Sequence, residues 1–366
     1  VPSAPAEGGG VTTLFIGLSA AGHGGIQAFN RRVGDALDRL AIPATTLMLA
    51  DTTPEGGGFG GARLSFARAI VRHGRASEAL LVGHVNLLPF ALIYRLLNPR
   101  GRIILFAHGI EVWGDPAYRA VRWWEPPVLR RVVDRVAVVS EYSRGLMARA
   151  FGIGEDRFTL FPNAVDLAPP PRRPSQGGPT ILAVTRLGRG ERGKNVDALI
   201  RALPQVLRDV PDARLIVIGD GPLRNELGAL AQELGIAGRV DLPGAVDCDR
   251  LDRAYASAAT FALPSSKEGF GIVYLEAWAS GLPVVGSTFG AAGELIDEGI
   301  DGHTVDPADV PALAGALIAL LRDPAHAARM GAAGRAKVER RYSADAFVAN
   351  LGALLSDTTR PRRTLR

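Results

Sequence analysis

The sequence predicts an α/β protein built from two doubly wound, parallel-sheet domains of Rossmann-like layout that face each other across a cleft. Three observations predict it. Short apolar runs alternate with amphipathic stretches along nearly all of the 366 residues. Strands covered by helices on both faces read as continuous apolar runs, as these do. The pattern breaks once, at Ala168-Pro169-Pro170-Pro171-Arg172-Arg173-Pro174-Ser175-Gln176-Gly177-Gly178-Pro179. Proline and glycine crowd there and no apolar period survives, as expected of a linker. The length also exceeds what a single core commonly supports.

In the first half the expected strands are Thr12–Leu18, Thr45–Leu49, Ala79–Val82, Ile103–Ala107, Arg135–Val139 and Phe158–Phe161. Helical stretches such as Ile26–Leu40 and Leu64–His73 lie between them. In the second half the strands are Thr180–Thr185, Arg214–Ile218, Val240–Leu242, Thr260–Leu263 and Pro283–Ser287. Helices there include Asn195–Val210, Pro222–Leu234 and Ala308–Leu321. The division follows as 1–168, a linker at 169–179, and a second domain at 180–341. Residues 342–366 are then a terminal helix, expected to return to the first domain, and a basic tail. Residues 1–10 and 357–366 read as mobile ends.

Hydrophobic content of 47% with 22% charged residues excludes a disordered chain. The one cysteine, Cys248, excludes an internal disulfide framework and a cysteine-cluster zinc site, and fits a reducing, cytoplasmic setting. A net charge of +5 favours anionic substrates or a membrane face but is no nucleic-acid signature, and none is expected as a partner. No apolar run reaches the roughly 18–20 residues of a membrane span. Val11–Ala21 resembles the core of a signal peptide but lacks a basic leader, so it reads as the first buried strand.

The most informative stretch is Ser265-Ser266-Lys267-Glu268-Gly269-Phe270-Gly271-Ile272-Val273-Tyr274-Leu275-Glu276. Two glutamates flank a Gly-x-Gly turn that opens a helix. The glycines let backbone approach a ligand, and the helix start presents free N–H groups and a positive dipole end. Carboxylates beside an anion site suit a sugar diphosphate, whose hydroxyls need acceptors while its phosphates need donors. Equally, Glu276 could merely favour a helix start and Glu268 be a solvated charge.

Around this stretch stand Thr185-Arg186-Leu187, Gly193-Lys194-Asn195 and Ile218-Gly219-Asp220-Gly221-Pro222-Leu223. Together with EGFGIVYLEAWASGLPVV they resemble the donor-binding domain of retaining glycosyltransferases of the GT-B fold, family 4 in particular. The resemblance covers nearly all of residues 11–350 and is strongest from Ile181 to Asp306. It implies that Arg186 and Lys194 hold the donor's diphosphate. Fixed cations there oppose the charge that grows on the leaving nucleoside diphosphate. Of the chain's three lysines, Lys194 and Lys267 fall in this constellation, though Lys267 reads better as a surface charge. The resemblance further assigns Glu268 to donor-sugar hydroxyls and Glu276 to the nucleotide ribose. Backbone N–H groups of Gly269, Phe270, Gly271 and Ile272 would meet sugar and phosphate oxygens. Backbone near Gly221 and Val246 would contact the base. A front-face retaining route is implied, in which the leaving phosphate helps deprotonate the acceptor.

In the first half, Ala107-His108-Gly109-Ile110-Glu111 follows a strand end, where ligands bind in open α/β sheets. The resemblance places His108 at the reacting sugar; a structural strand cap is the bland alternative. Glu111 either binds acceptor or pairs with an arginine. Gly22-His23-Gly24-Gly25-Ile26-Gln27 is a second phosphate-friendly turn, with Gly24 and Gly25 near donor phosphate and acceptor. Its rival reading is a dinucleotide fingerprint, weakened by Gln27 and by Asp51 sitting late for a ribose acid. Pro162-Asn163-Ala164-Val165-Asp166 resembles a Pro-Asn-Gly-Val-Asp motif that puts Asn163 on the acceptor side. Ala164 replaces the usual glycine, which would strain a positive φ.

Asp247-Cys248-Asp249 mimics an Asp-x-Asp metal site but precedes an amphipathic helix, so it reads as a helix cap. No metal and no cofactor are therefore expected. Tyr118–Arg135 mixes arginines with Trp123 and Trp124, which suits an anionic membrane interface or, at helical spacing, a core. The expected partners are a nucleotide-sugar donor and a saccharide, lipid-linked or small-molecule acceptor. The expected reaction is transfer of a hexose from a UDP- or GDP-sugar to a hydroxyl, in surface polysaccharide, glycolipid or specialised-metabolite assembly. An epimerase or phosphorylase of the same fold, or a noncatalytic nucleotide-sugar binder, stays open. The expected place is the cytoplasm, or the inner face of its membrane.

Overall fold

The computed structural model describes residues 12–22, 24–52, 57–109, 111, 120–167 and 178–357. His23, Ile110, most of the linker, the first residues of the Tyr118–Arg135 segment, and nearly all of both ends lie outside the described residues.

The first half runs β1 (Thr13–Gly17), α1 (Gly25–Arg39), β2 (Ala44–Met48), α2 (Arg63–Gly74), β3 (Ala79–Val82), α3 (Leu88–Leu97), β4 (Arg102–Ala107), α4 (Glu125–Val132), β5 (Arg135–Val138), α5 (Glu141–Phe151) and β6 (Phe158–Leu160). These strands form one parallel sheet in the order β2-β1-β3-β4-β5-β6. The second half runs β7 (Thr180–Val184), α6 (Val196–Asp209), β8 (Arg214–Ile218), α7 (Leu223–Glu233), β9 (Val240–Gly244), α8 (Cys248–Ser257), β10 (Thr260–Ala262), α9 (Ile272–Ala279), β11 (Val284–Ser287), α10 (Ala292–Leu295) and β12 (Gly302–Val305). Its sheet is also parallel, ordered β12-β11-β10-β7-β8-β9. The expected doubly wound fold class is confirmed.

The central strands are apolar because both faces of each sheet are buried there, whereas edge strands such as β2 and β9 are partly exposed. In β1, Leu14 and Ile16 enter one core while Phe15 enters the other; in β4, Ile103, Leu105 and Ala107 alternate with Ile104 and Phe106 in the same way. Three helices follow β12: α11 (Val310–Arg322), α12 (Pro324–Arg341) and α13 (Ala344–Ser356). The last crosses back to the first sheet. Its Phe347, Leu351 and Leu354 complete the core around Phe15, Phe106 and Phe161, with the Phe161 and Phe347 rings 4.8 Å apart edge to face. Arg39 of α1 pairs with Asp345 at 2.6 Å.

The Pro162–Asp166 motif lies at this crossing. Val165 N donates to Tyr342 O at 2.9 Å, and Arg32 meets both oxygens of Asp166 at 2.7 and 3.1 Å. Ala164 is not among the positive-φ residues, so the strain anticipated for an alanine there is absent. Strand β12 was not foreseen. Its sequence, Gly-His-Thr-Val, carries little apolar signal and it closes an edge of the sheet.

Candidate functional site

In the second sheet the strand order reverses between β7 and β10, so the loops after these two strands diverge to opposite faces and leave a crevice. Arg186 and Lys194 lie on the loop after β7, and Glu268 on the loop after β10. Asn195 joins them. It adopts a left-handed conformation, φ 53°, and its side-chain amide donates to Pro264 O at 2.8 Å and to Ser266 Oγ at 3.2 Å. Ser266 N in turn donates to Gly193 O at 2.8 Å. The two loops zipped together set Lys194 Nζ 2.7 Å from Glu268 Oε2, with only 12% and 14% of the side chains exposed. Lys194 closes the turn before α6 rather than opening the helix itself.

Arg186 points outward, 69% exposed, and its guanidinium meets Glu191 Oε1 at 2.7 Å. Glu191 is buried and was not anticipated; nothing in its local spacing distinguishes it from a surface acid. Gly219 and Gly221 hold φ of 140° and 144°, and a Cβ on either would overlap the carbonyl of Thr185 or Leu187. Glycine is required where these two loops touch. Val246, after β9, is half-buried against the core of the same domain.

Helix α9 begins at Gly271, φ 93°, with no side-chain cap and no acid in its first turn. Its first N–H groups thus have no side-chain cap, as a helix end that binds an anion requires. Phe270 is buried against the Tyr342 ring at 5.9 Å, whereas Ile272 is half-buried. Glu276 accepts from Tyr255 Oη of α8 at 2.9 Å. Burial raises the Glu276 carboxyl above the usual carboxylate range, the tyrosine bond opposes this, and Asp252 adds to it. Burial and the glutamate together push the Tyr255 hydroxyl up. Tyr255 was not foreseen as a partner, since it lies on a separate helix.

The ends of β4 and β5 meet this loop from the other domain. Gly109 takes φ 91°, and a Cβ there would lie 3.2 Å from Gly269 Cα. His108 Nε2 is 3.0 Å from Gly83 O. A carbonyl only accepts, so Nε2 carries the proton and Nδ1 is left as an acceptor. The Phe29 ring packs edge-on at 4.7 Å. Glu111 is fully buried, and its two oxygens accept the His108 N–H at 3.0 and 3.1 Å, with His84 Nε2 at 4.0 Å. It braces the His108 loop from beneath.

Gly24 caps α1 with backbone only, and the helix has no acid in its first turn. Asp51 accepts from Ser19 Oγ and from Ala20 N at 2.8 Å, which commits it to the preceding loop and removes the ribose acid of the dinucleotide reading. Asn163 is half-buried, and among the described residues its Oδ1 has no hydrogen-bond partner. Asp247 caps α8 by accepting from Arg250 N at 2.7 Å, as a helix cap does. A cavity of about 560 Å³ lies between the domains behind the donor loop, lined in part by Ser140, Phe270, Glu294, Arg341 and Tyr342. Of the expected site residues it takes in only Phe270.

Two doubly wound domains, each with its strand order reversing once, are the layout of the GT-B glycosyltransferases. The chain belongs to the glycosyltransferases of group 1 and family 4: residues 172–337 match the model of glycosyl transferases group 1, and residues 31–169 that of Glycosyltransferase Family 4. It is similar to the GDP-mannose-dependent alpha-(1-6)-phosphatidylinositol monomannoside mannosyltransferase of Mycolicibacterium smegmatis, 37% identical over 273 residues and 68% of each chain. The Corynebacterium glutamicum enzyme that acts on the monoacylated acceptor is 33% identical over 283 residues, 70% of each. Among solved structures, Anabaena HepE in complex with UDP superposes with a TM-score of 0.75 at 20% identity, covering 94% of this chain and 99% of that one. Sucrose-phosphate synthase from Thermosynechococcus elongatus superposes at 0.73 and 20%, covering 94% and 98%.

Proposed function

We propose that this glycosyltransferase moves a hexose, mannose from GDP-mannose foremost, to a hydroxyl of an inositol-glycolipid acceptor, with retention and without a bound metal. The donor and acceptor follow the names of the similar mannosyltransferases. The observation that carries the reading is the Lys194–Glu268 pair at 2.7 Å beside the uncapped start of α9.

In this reading the diphosphate lies at the α9 start, with Lys194 on one side and Arg186, aimed by Glu191, on the other. Glu268 accepts from sugar hydroxyls, and Glu276 accepts from ribose. The bond between the anomeric carbon and the phosphate oxygen breaks as the acceptor oxygen bonds to that carbon on the same face. The acceptor's proton passes to the leaving phosphate oxygen. Lys194, Arg186 and the helix start oppose the charge that develops there. His108 supports positive charge at the sugar through its backbone carbonyl or the open Nδ1.

A lipid-bearing acceptor requires access to a membrane surface. Among the described residues no helix is long and apolar enough to cross one. Helix α2 carries Arg63, Arg68 and Arg72 and no acid, with Leu64 78% and Val71 40% exposed between them. Leu96 on the adjoining α3 and Trp123 before α4 are also exposed. Apolar side chains ringed by arginine suit an anionic lipid surface. In this reading the contact takes in α2, Leu96 and, from the Tyr118–Arg135 segment, Trp123, whereas Trp124 packs against the core.

The test is a panel of GDP-, UDP- and ADP-sugars offered to the protein with phosphatidylinositol mannoside, the product linkage being read by NMR. An α-linked mannosyl product from GDP-mannose, undiminished by chelator, supports the reading. An inverted linkage, or turnover that needs magnesium or manganese, defeats the corresponding part. Donor conversion without acceptor would mark an epimerase, phosphate-dependent release of sugar phosphate a phosphorylase, and binding without turnover a noncatalytic chain.

A further inference from the structure

The peptide that links Gly269 to Phe270 is gripped from the other domain. Ser140 Oγ donates to Gly269 O at 2.7 Å and Ser143 Oγ donates to the same oxygen at 2.9 Å. Both serines are buried. Ser140 also accepts from Ser143 N at 3.0 Å as the cap of α5, so its own proton is directed outward to Gly269. Two donors fill the two lone pairs of one carbonyl. A peptide unit is planar, with C=O and N–H opposed. Fixing Gly269 O toward α5 therefore turns the Phe270 N–H away from it.

A second grip runs the opposite way. Glu294 of α10 accepts from Glu141 N at 2.8 Å and from Tyr142 N, in the first turn of α5. A carboxylate at a helix start is favoured by the free N–H groups and the dipole. The segment that bears Glu294 also holds the donor loop: Ala291 N donates to Glu268 O at 2.9 Å, and Gly290 at φ 70° leaves no room for a Cβ, which would lie 2.9 Å from that same oxygen. Gly109 is closed in likewise, 2.7 Å from Ser143 Oγ at its Cβ position. The start of α5 is thus fastened both to the donor loop and to the segment that supports it.

We propose that Ser140, Ser143 and Glu294 are positioning residues that clasp the start of α5 to the donor loop, so that the stance of the first domain sets the orientation of the Glu268–Gly271 backbone at the sugar. The proposal rests on the donor-site reading above. It deepens that reading by assigning the loop's alignment to residues that touch neither sugar nor nucleotide. Within the donor loop the clasp grips the Gly269 carbonyl alone, so it bears on the Gly269–Phe270 peptide that faces the sugar, whereas the nucleotide contacts of Arg186, Lys194, Glu276 and the α9 start at Ile272 belong wholly to the second domain.

The test has two arms on the full-length protein. In the first, amide hydrogen exchange is followed without ligand. The Glu141 and Tyr142 amides are expected to exchange slowly in the wild type and quickly in Glu294→Ala. Fast exchange in the wild type overturns the clasp, whatever the donor proves to be. In the second, transfer kinetics and GDP binding are compared for wild type, Ser143→Ala, Glu294→Ala and Glu294→Gln. Misalignment of a sugar-positioning loop is expected to lower kcat by about 100-fold in the alanine variants, with GDP affinity kept within about two-fold. Glu294→Gln, which keeps an acceptor oxygen, is expected to recover most of the loss. Unchanged kcat, or a parallel fall in GDP affinity, overturns the proposal. A wild type that binds no GDP and transfers no mannose instead defeats the donor-site reading, and the exchange arm still decides the clasp.

Discussion

Lys194 Nζ and Glu268 Oε2 lie 2.7 Å apart although 74 positions separate them in the chain. Each holds the other's charge in a largely buried place, and each is assigned a different part of the donor. In the donor reading proposed above the pair pre-aligns the site before a ligand arrives, because the ion pair already restricts both side chains.

Lys194→Gln removes the cation and leaves Glu268 as a buried charge without this partner. Loss of one preorganised group facing a developing negative charge lowers kcat by about 100- to 1,000-fold. Lys194→Arg is expected to recover only part of this, since a planar fork does not replace a compact ammonium. Steady-state kinetics on the folded variants, with circular dichroism as control, checks both. Near-wild-type turnover in Lys194→Gln would remove Lys194 from the mechanism.

Glu276 sets a pH dependence of stability. Burial raises its carboxyl above the ordinary 4.5. The folded chain therefore binds more protons at this group than the unfolded chain does, in the window from about 4.5 up to the raised value. Stability contributed by the protonated group is present below that window and is lost as pH rises through it. Glu276→Gln abolishes the ionisation and retains an acceptor for Tyr255. It is expected to melt about 2–4 °C above the wild type at neutral pH, with the gap closing under acidic conditions. GDP binding should weaken in the same variant, since a neutral amide is a poorer acceptor for ribose hydroxyls. Thermal melts across pH, with and without GDP, test both statements.

Glu191 aims Arg186. In Glu191→Ala the guanidinium stays exposed but is no longer oriented. We expect kcat/KM to fall by about ten-fold through lost positioning, with Arg186→Ala and the double variant no worse than the poorer single one. Additive losses in that cycle would show that the two residues act separately.

The α2 face predicts salt-sensitive membrane contact. The wild type should sediment with vesicles containing phosphatidylinositol or phosphatidylserine at low salt, and release as ionic strength rises. A variant with Arg68→Glu and Arg72→Glu should stay in the supernatant while still transferring to a water-soluble acceptor. Equal sedimentation of the two proteins would place the contact elsewhere.

Much of the fold and part of the site are legible along the chain. Strand positions were read to within a residue or two because a sheet covered on both faces demands an apolar run wherever a strand passes. The strand β12 escaped because an edge position tolerates histidine and threonine. Among the site residues, Arg186, Lys194, Glu268 and Glu276 stand in short motifs whose glycines mark close backbone approach. Glu191 and Tyr255 carry no such mark, and Glu111 could not be distinguished as surface or core from its neighbours alone.

What the sequence determined by itself is local: the alternation of strand and helix, the glycines at Gly219, Gly221 and Gly271 that permit positive φ, the cap at Asp247, and the charged groups available to a ligand. Tertiary structure alone decided which of these meet. It set the reversal between β7 and β10 that opens the crevice, the Tyr255–Glu276 contact, the burial of Glu111 under His108, the packing of Phe347 of α13 against Phe161, and the serines of one domain on a carbonyl of the other. The physical reason is range. Propensity, periodicity and capping act over a few residues, whereas strand order and the contacts between loops are settled by packing two cores at once, and no short window of sequence records the outcome.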